Sequence, residues 1–244
     1  MTGSSSGIGR ATALEFARVG ANVLIHAARN RVGAEETAQL VRKLGVDSTV
    51  ILADLSNPSA QDSFVREAWA WRGEVNVWVN NAGADTLTGV TAKLSFEEKL
   101  DLLWRLDVTA SLRLSRSVGL LMKARGAGSI INVGWDQAEV GMAGDSGELF
   151  ATVKGAVMAA TKSLAKSLAP TVRVNCVAPG WIKTAWGEGA SDAWQTRARR
   201  EALLDRWGTP EDIAQAIVFL SSPAASFITG NILPVNGGYR GSFG

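Results

Sequence analysis

"TGSSSGIGRATALEFARVG", residues 2–20, carries glycines at Gly3, Gly7 and Gly9 and runs directly into a helical pattern. The next apolar run, "NVLIH" at 22–26, has the length of a buried strand. A glycine-rich turn entering a helix, then a short apolar strand, reads as one unit of a parallel α/β sheet. Gly3 permits the tight turn, Gly7 lets the backbone approach a ligand, and Gly9 lets the helix pack closely against the sheet. The helix N-terminus can then hold a pyrophosphate.

The pattern repeats. Short apolar runs at "TVILA" (49–53), "VNVWVN" (75–80), "SIINV" (129–133) and "VRVNCV" (172–177) read as further buried strands. Helix-length segments lie between and after them, at 9–19, 34–44, 58–71, 95–122, 148–168 and 210–220. Continuous apolar strands alternating with helices predict a Rossmann-like, doubly wound parallel sheet with helices on both faces. One domain over 1–244 is the simplest division, with no repeat, low-complexity tract or linker. The Trp- and charge-rich stretch 181–208 does not fit a strand-helix unit. It is expected as a loop and helix over the substrate side, or as a surface excursion.

Composition narrows the function classes. With 25 Lys and Arg against 23 Asp and Glu, the net charge is +2, and no basic tract points to nucleic acid. Cys176 is the single cysteine, which rules out an intrachain disulfide and fits a small buried hydrophobe. No charged-then-apolar leader and no membrane-length apolar run is present, so the expected setting is cytoplasmic. No metal is assigned.

The spacing Gly-x-x-x-Gly-x-Gly resembles the short-chain dehydrogenase/reductase family. So do, in order, "ADL" at 53–55, "NNAG" at 80–83, "SIINV" at 129–133, a helix carrying Lys154, "APGWIKT" at 178–184 and "ITGNILPVNGG" at 228–238. The scaffold looks most like the branch of 3-oxoacyl-acyl-carrier-protein reductases. The resemblance implies that Ser5, Ser6 and Ile8 line the diphosphate loop and that Asp54 and Leu55 flank the adenine. It implies Asn81, Ala82 and Gly83 along the inner ribose, and Pro179, Gly180, Ile182 and Thr184 around the nicotinamide. "HAARN" at 26–30 offers no acid for a free ribose 2′-hydroxyl, while Arg29 can pair a 2′-phosphate. NADP is therefore expected rather than NAD, with Arg29 as a solvated loop residue the alternative. His26 reads as the end of a strand.

Two departures from the family pattern matter. An apolar strand normally precedes the glycine loop in mid-sheet, whereas only Met1 precedes Thr2 here. The expectation is a truncated or misassigned start, with two apolar strand edges left unpaired. The second departure is catalytic. The family uses Tyr-x-x-x-Lys, an upstream Ser and an Asn on the preceding long helix. Lys154 matches the Lys. The Tyr position is Phe150, the Asn falls on Thr109, and the Ser falls on Gly134 or Trp135 by strand continuity or on Gln137 by counting back. The only tyrosine is Tyr239, so no phenol has moved within the helix. Asp136, Glu139, Asp145 and Glu148 are the nearby acids, each a solvated loop residue or a replacement proton donor.

Two readings follow. One is an NADP-dependent carbonyl or alcohol oxidoreductase, of 3-oxoacyl type by resemblance, using an altered proton path. The other is an inactive nucleotide-binding pseudoenzyme acting as a sensor or partner subunit. Trp135, Trp181 and Trp186 would line an aromatic pocket or simply pack. Small residues at Ala151, Gly155, Ala156, Ala159 and Ala160 suit close helix packing, so a homodimer or homotetramer is expected.

Overall fold

A computed structural model describes residues 1–240 of the chain. The strands are β1 (Val23–Ala27), β2 (Ser48–Leu52), β3 (Val77–Asn80), β4 (Gly128–Val133), β5 (Val172–Pro179) and β6 (Ile232–Val235). All the pairings between them are parallel. The last strand is absent from the sequence reading because Pro234 interrupts its pattern. That residue is tolerated where β6 closes the edge of the order β3-β4-β5-β6.

Alternation along the strands builds two helical layers. On one face Trp78, Ile130, Val172 and Val174 pack with α3 (Pro58–Ala70), α5 (Ser111–Arg125) and α6 (Asp145–Leu168). On the other, Val79, Ile131, Val133 and Val177 meet α9 (Pro210–Ser221), whose Ile213 and Ile217 are fully buried. On that side α1 (Gly7–Arg18) and α2 (Arg31–Lys43) cover β1 with alanines, Ala13, Ala17, Ala34 and Ala38, which let the helices lie close. Cys176 is buried in β5, and burial pushes its thiol up to about 12.

The stretch 95–122 is not one uniform helix. It divides into α4 (Phe96–Leu103), a π-helical segment Trp104–Ala110 and α5. A capping box from Ser95 and Glu98 starts α4. The stretch 181–208 holds two short helices, α7 (Ala185–Glu188) and α8 (Asp192–Glu201).

Strands β1 and β2 form a sheet of their own, separate from the four-stranded one. Residues 1–4 cross the space between β1 and β3 at the carboxyl end: Met1 donates to Leu24 O at 3.1 Å, Thr2 N to Val79 O at 3.0 Å and Ser4 N to His26 O at 2.9 Å. Behind Met1 the two strand edges face each other across a cavity of about 520 Å³, whose lining includes Phe16, Leu24, Val77 and Val79. Burial of the Met1 amine there lowers its pKa to about 5.

Candidate active site

The carboxyl ends of parallel strands, with the loops that leave them, are where ligands sit in open α/β sheets. Three of those loops are tied together here. Asn81 Nδ2 donates to Gly3 O at 2.8 Å, while Thr2 Oγ1 accepts from the backbone of Asn81 and Ala82, both at 2.9 Å. The Asn81 side chain, expected along a ribose, is thus spent on bracing the glycine loop. A Cβ on Gly9 would stand 2.0 Å from Gly3 O, and one on Gly3 would stand 2.8 Å from Ala82 Cα. Glycine at position 9 therefore serves the fit of helix to turn more than that of helix to sheet.

His26, read from sequence as a strand end, does more. Its Nδ1 accepts from Gly3 N at 3.0 Å and its Nε2 lies 2.9 Å from Ala53 O, which fixes the neutral tautomer protonated on Nε2. Burial lowers its pKa to about 4, so the ring holds loop and β2 together without a charge.

The first turn of α1 has no side-chain cap, because Ser6 makes no capping bond. Its amides and dipole suit an anion such as a diphosphate. Gly7 faces this end, and a Cβ there would lie 3.7 Å from the Thr184 methyl, so the loop and the base of 181–208 adjoin. Leu55 and Ile182, expected beside the cofactor, have side chains in the core at 2% and 8% exposure; only their backbones can border a ligand. Asp54 takes the Ser56 hydroxyl and amide, which lowers its pKa, and its carboxylate is 3.7 Å from the exposed Arg29 guanidinium.

Lys154 points inward from α6. Its Nζ is 2.7 Å from Asp107 Oδ1, with the lysine side chain 15% and the aspartate side chain 1% exposed, and 3.4 Å from Val133 O. Asp107 Oδ2 accepts from Ala84 N at 2.9 Å. Sequence reasoning placed the long-helix polar group on Thr109; the structure puts Asp107 against Lys154 instead. Both Thr109 and Asp107 lie in the π-helical segment Trp104–Ala110, and only the fold shows which of its side chains turns to Lys154.

Phe150, one turn before Lys154, meets Trp135 in an edge-on contact with ring centroids 6.3 Å apart. Gln137 lies elsewhere, buried with its Nε2 3.4 Å from Glu201 Oε2. Glu201 also accepts from Trp181 Nε1 and Arg197 Nε, each at 2.7 Å, so one buried carboxylate ties the 181–208 segment to the loop after β4. Arg197 stacks over Trp181 and Trp194. The Trp186 side chain lies outside the described residues.

Of the four nearby acids, Glu139, Asp145 and Glu148 are exposed. Asp136 is not. Its Oδ2 accepts from Asn236 Nδ2 at 3.0 Å, its Oδ1 is buried without a protein partner, and burial raises its pKa to about 6. A Cβ on Gly180 would stand 3.2 Å from Asp136 Oδ2, so this carboxyl lies against a residue expected at the nicotinamide end. Among the described residues, no group of three or more His, Cys, Asp or Glu could hold a metal ion, and no helix is long and apolar enough to cross a membrane.

The family model described as enoyl-(acyl carrier protein) reductase matches residues 3–240. A 3-oxoacyl-[acyl-carrier-protein] reductase of Vibrio cholerae is 35% identical over 240 residues, covering 98% of this chain and 95% of its own length. An oxidoreductase of Mycobacterium tuberculosis, itself uncharacterized, is 34% identical over 240 residues, covering 98% and 90%. Among solved structures, a 7α-hydroxysteroid dehydrogenase complexed with NADH and 7-oxo glycochenodeoxycholic acid superposes with a TM-score of 0.90 at 27% identity, over 100% of this chain and 94% of that one.

Proposed function

This chain belongs to the short-chain dehydrogenase/reductase family and resembles its 3-oxoacyl-acyl-carrier-protein reductases, and from that premise we propose that it is an NADP-dependent carbonyl or alcohol oxidoreductase with a changed proton donor. Held at this site, a nicotinamide nucleotide would supply or accept the hydride. The residues fit such a nucleotide: the α1 N-terminus has no side-chain cap, Gly3 and Gly9 pack so tightly that only glycine fits, and Lys154 reaches inward beside the turn of Gly83 and Ala84. Arg29 and the absence of an acid in "HAARN" support the 2′-phosphate form.

The observation that carries the enzymatic reading is Asp136, a half-buried carboxyl whose Oδ2 lies beside Gly180 and whose buried Oδ1 has no protein partner. Its pKa of about 6 keeps part of it protonated near neutrality, where it can deliver a proton to a developing alkoxide. Phe150 and Trp135 supply apolar walls that exclude water from the reacting oxygen. The test is turnover of NADPH with a panel of ketones and 3-oxoacyl thioesters. We expect activity to fall as pH rises through about 6, because the protonated carboxyl is the working form. Asp136→Asn should lose roughly 100-fold or more of kcat with NADPH affinity unchanged.

One observation favours the second reading. The Phe150 ring, at the position of the family's Tyr, meets Trp135, one of the candidates for the Ser position, and neither carries a hydroxyl, as a nucleotide-binding pseudoenzyme would have it. Quenching of tryptophan emission by NADPH without turnover across the panel would select that reading.

Cofactor choice has its own test. Arg29→Ala is expected to weaken NADPH binding about 10-fold or more while leaving NADH binding unchanged, measured by calorimetry. An equal effect on both nucleotides would return Arg29 to a solvated loop role. The small-residue face of α6, open at Gly155, supports a homodimer or homotetramer through this helix and α5.

A further inference from the structure

Asp107 is a buried carboxylate that the reading above does not use. Both its oxygens are engaged, one by the Lys154 ammonium at 2.7 Å and one by the Ala84 amide at 2.9 Å. A Cβ on Gly83 would stand 2.7 Å from its Oδ1, so the carboxylate presses on the turn expected along the cofactor's inner ribose. The π-helical segment Trp104–Ala110 carries it. The other bond of Lys154, to Val133 O at 3.4 Å, is long, so Asp107 is its main partner.

Resting on the proposal that this site holds a nicotinamide nucleotide, we infer that Asp107 sets which oxidation state of the nucleotide the chain prefers. The oxidised nicotinamide ring is a cation and the reduced ring is neutral. An unpaired lysine ammonium near that ring opposes the cation, and in a water-poor site such an effect is weakly screened. Pairing Lys154 with a carboxylate brings the local charge to zero and removes that opposition. Relative to the same site with an uncharged residue at 107, the chain therefore binds NADP⁺ more favourably against NADPH. That tilts the bound couple toward alcohol oxidation.

The test compares dissociation constants for NADP⁺ and NADPH, measured by calorimetry, in the wild type, Asp107→Asn, and Asp107→Asn/Lys154→Met. The first variant leaves a net positive charge and should raise the NADP⁺ to NADPH ratio of dissociation constants about 10-fold. The double variant is again uncharged and should return the ratio close to that of the wild type. Asp107→Ser makes the same charge change with a smaller side chain and serves if the amide variant does not fold. A merely structural Asp107 would weaken both nucleotides by the same factor, and an unchanged ratio overturns the inference alone. A wild type that binds neither nucleotide overturns the functional reading and this inference with it.

Discussion

A variant carrying five or six apolar, β-branched residues ahead of Met1 is expected to melt at least about 10 °C above the parent chain. The added segment continues the path of residues 1–4 into the cavity of about 520 Å³ between β1 and β3. Each Val, Leu or Ile buried there contributes roughly 1.5–3 kcal/mol, and the two facing strand edges gain ladder hydrogen bonds. Ordering the segment costs about 1–2 kcal/mol per residue, so the net gain is of order 3–5 kcal/mol, or about 10 °C for a domain of this size.

The same variant should change the pH dependence of stability. The Met1 amine has a pKa of about 5 in the fold against 8.0 when free, so the folded chain binds fewer protons between those values. Its contribution is complete above pH 8 and is lost as pH falls toward 5, by roughly 4 kcal/mol. Moving the amine out of the cavity removes that slope. His26 has the same sign, losing stability as pH falls from 6.5 toward 4, and keeps it in both chains. An unchanged melting temperature, or rapid hydrogen exchange along the added residues, would show that the slot does not accept a strand.

In the Asp136→Asn background, Phe150→Tyr combined with Trp135→Ser is expected to raise kcat for ketone or 3-oxoacyl thioester reduction by roughly 10²–10⁴-fold, the usual worth of a positioned general acid. The ring already stands one helical turn from Lys154, so the substitution adds a hydroxyl to an existing position. Serine at 135 removes the indole that meets the ring edge-on and supplies a donor for the substrate oxygen. Phe150→Tyr alone should give the lower end of the range, because Lys154 is paired with Asp107 and so lowers a neighbouring phenol's pKa less than a lone ammonium would. Adding Asp107→Asn should recover the difference. Equal rates in the wild type and the restored variants would mean that a proton path independent of position 150, such as Asp136, already suffices.

Much of the architecture is legible in the sequence because it depends on local pattern. The five apolar runs become β1 to β5 within a few residues, and the glycine loop and the α6 lysine need only neighbours in the chain to be recognised. Pro234 hid β6, since a proline is admissible only at an edge and edge status is a property of the whole sheet.

The candidate site is less legible, for a related reason. The motif identifies Lys154 and Phe150, which share a regular helix, but gives Thr109 in a segment that is π-helical and leaves Gly134, Trp135 and Gln137 as alternatives across an irregular loop. Only the fold brought Asp107 to Lys154, turned Trp135 to Phe150 and sent Gln137 to Glu201. From sequence His26 reads as a strand end and Asp136 as either a solvated acid or a replacement proton donor; burial in the fold shifts both pKa values. The sequence by itself determined the parallel α/β architecture and the nucleotide loop, because backbone propensity and hydrophobic period act over a few residues. The tertiary structure decided the partner and protonation of each ionisable group, because desolvation and pairing depend on atoms far apart in the chain.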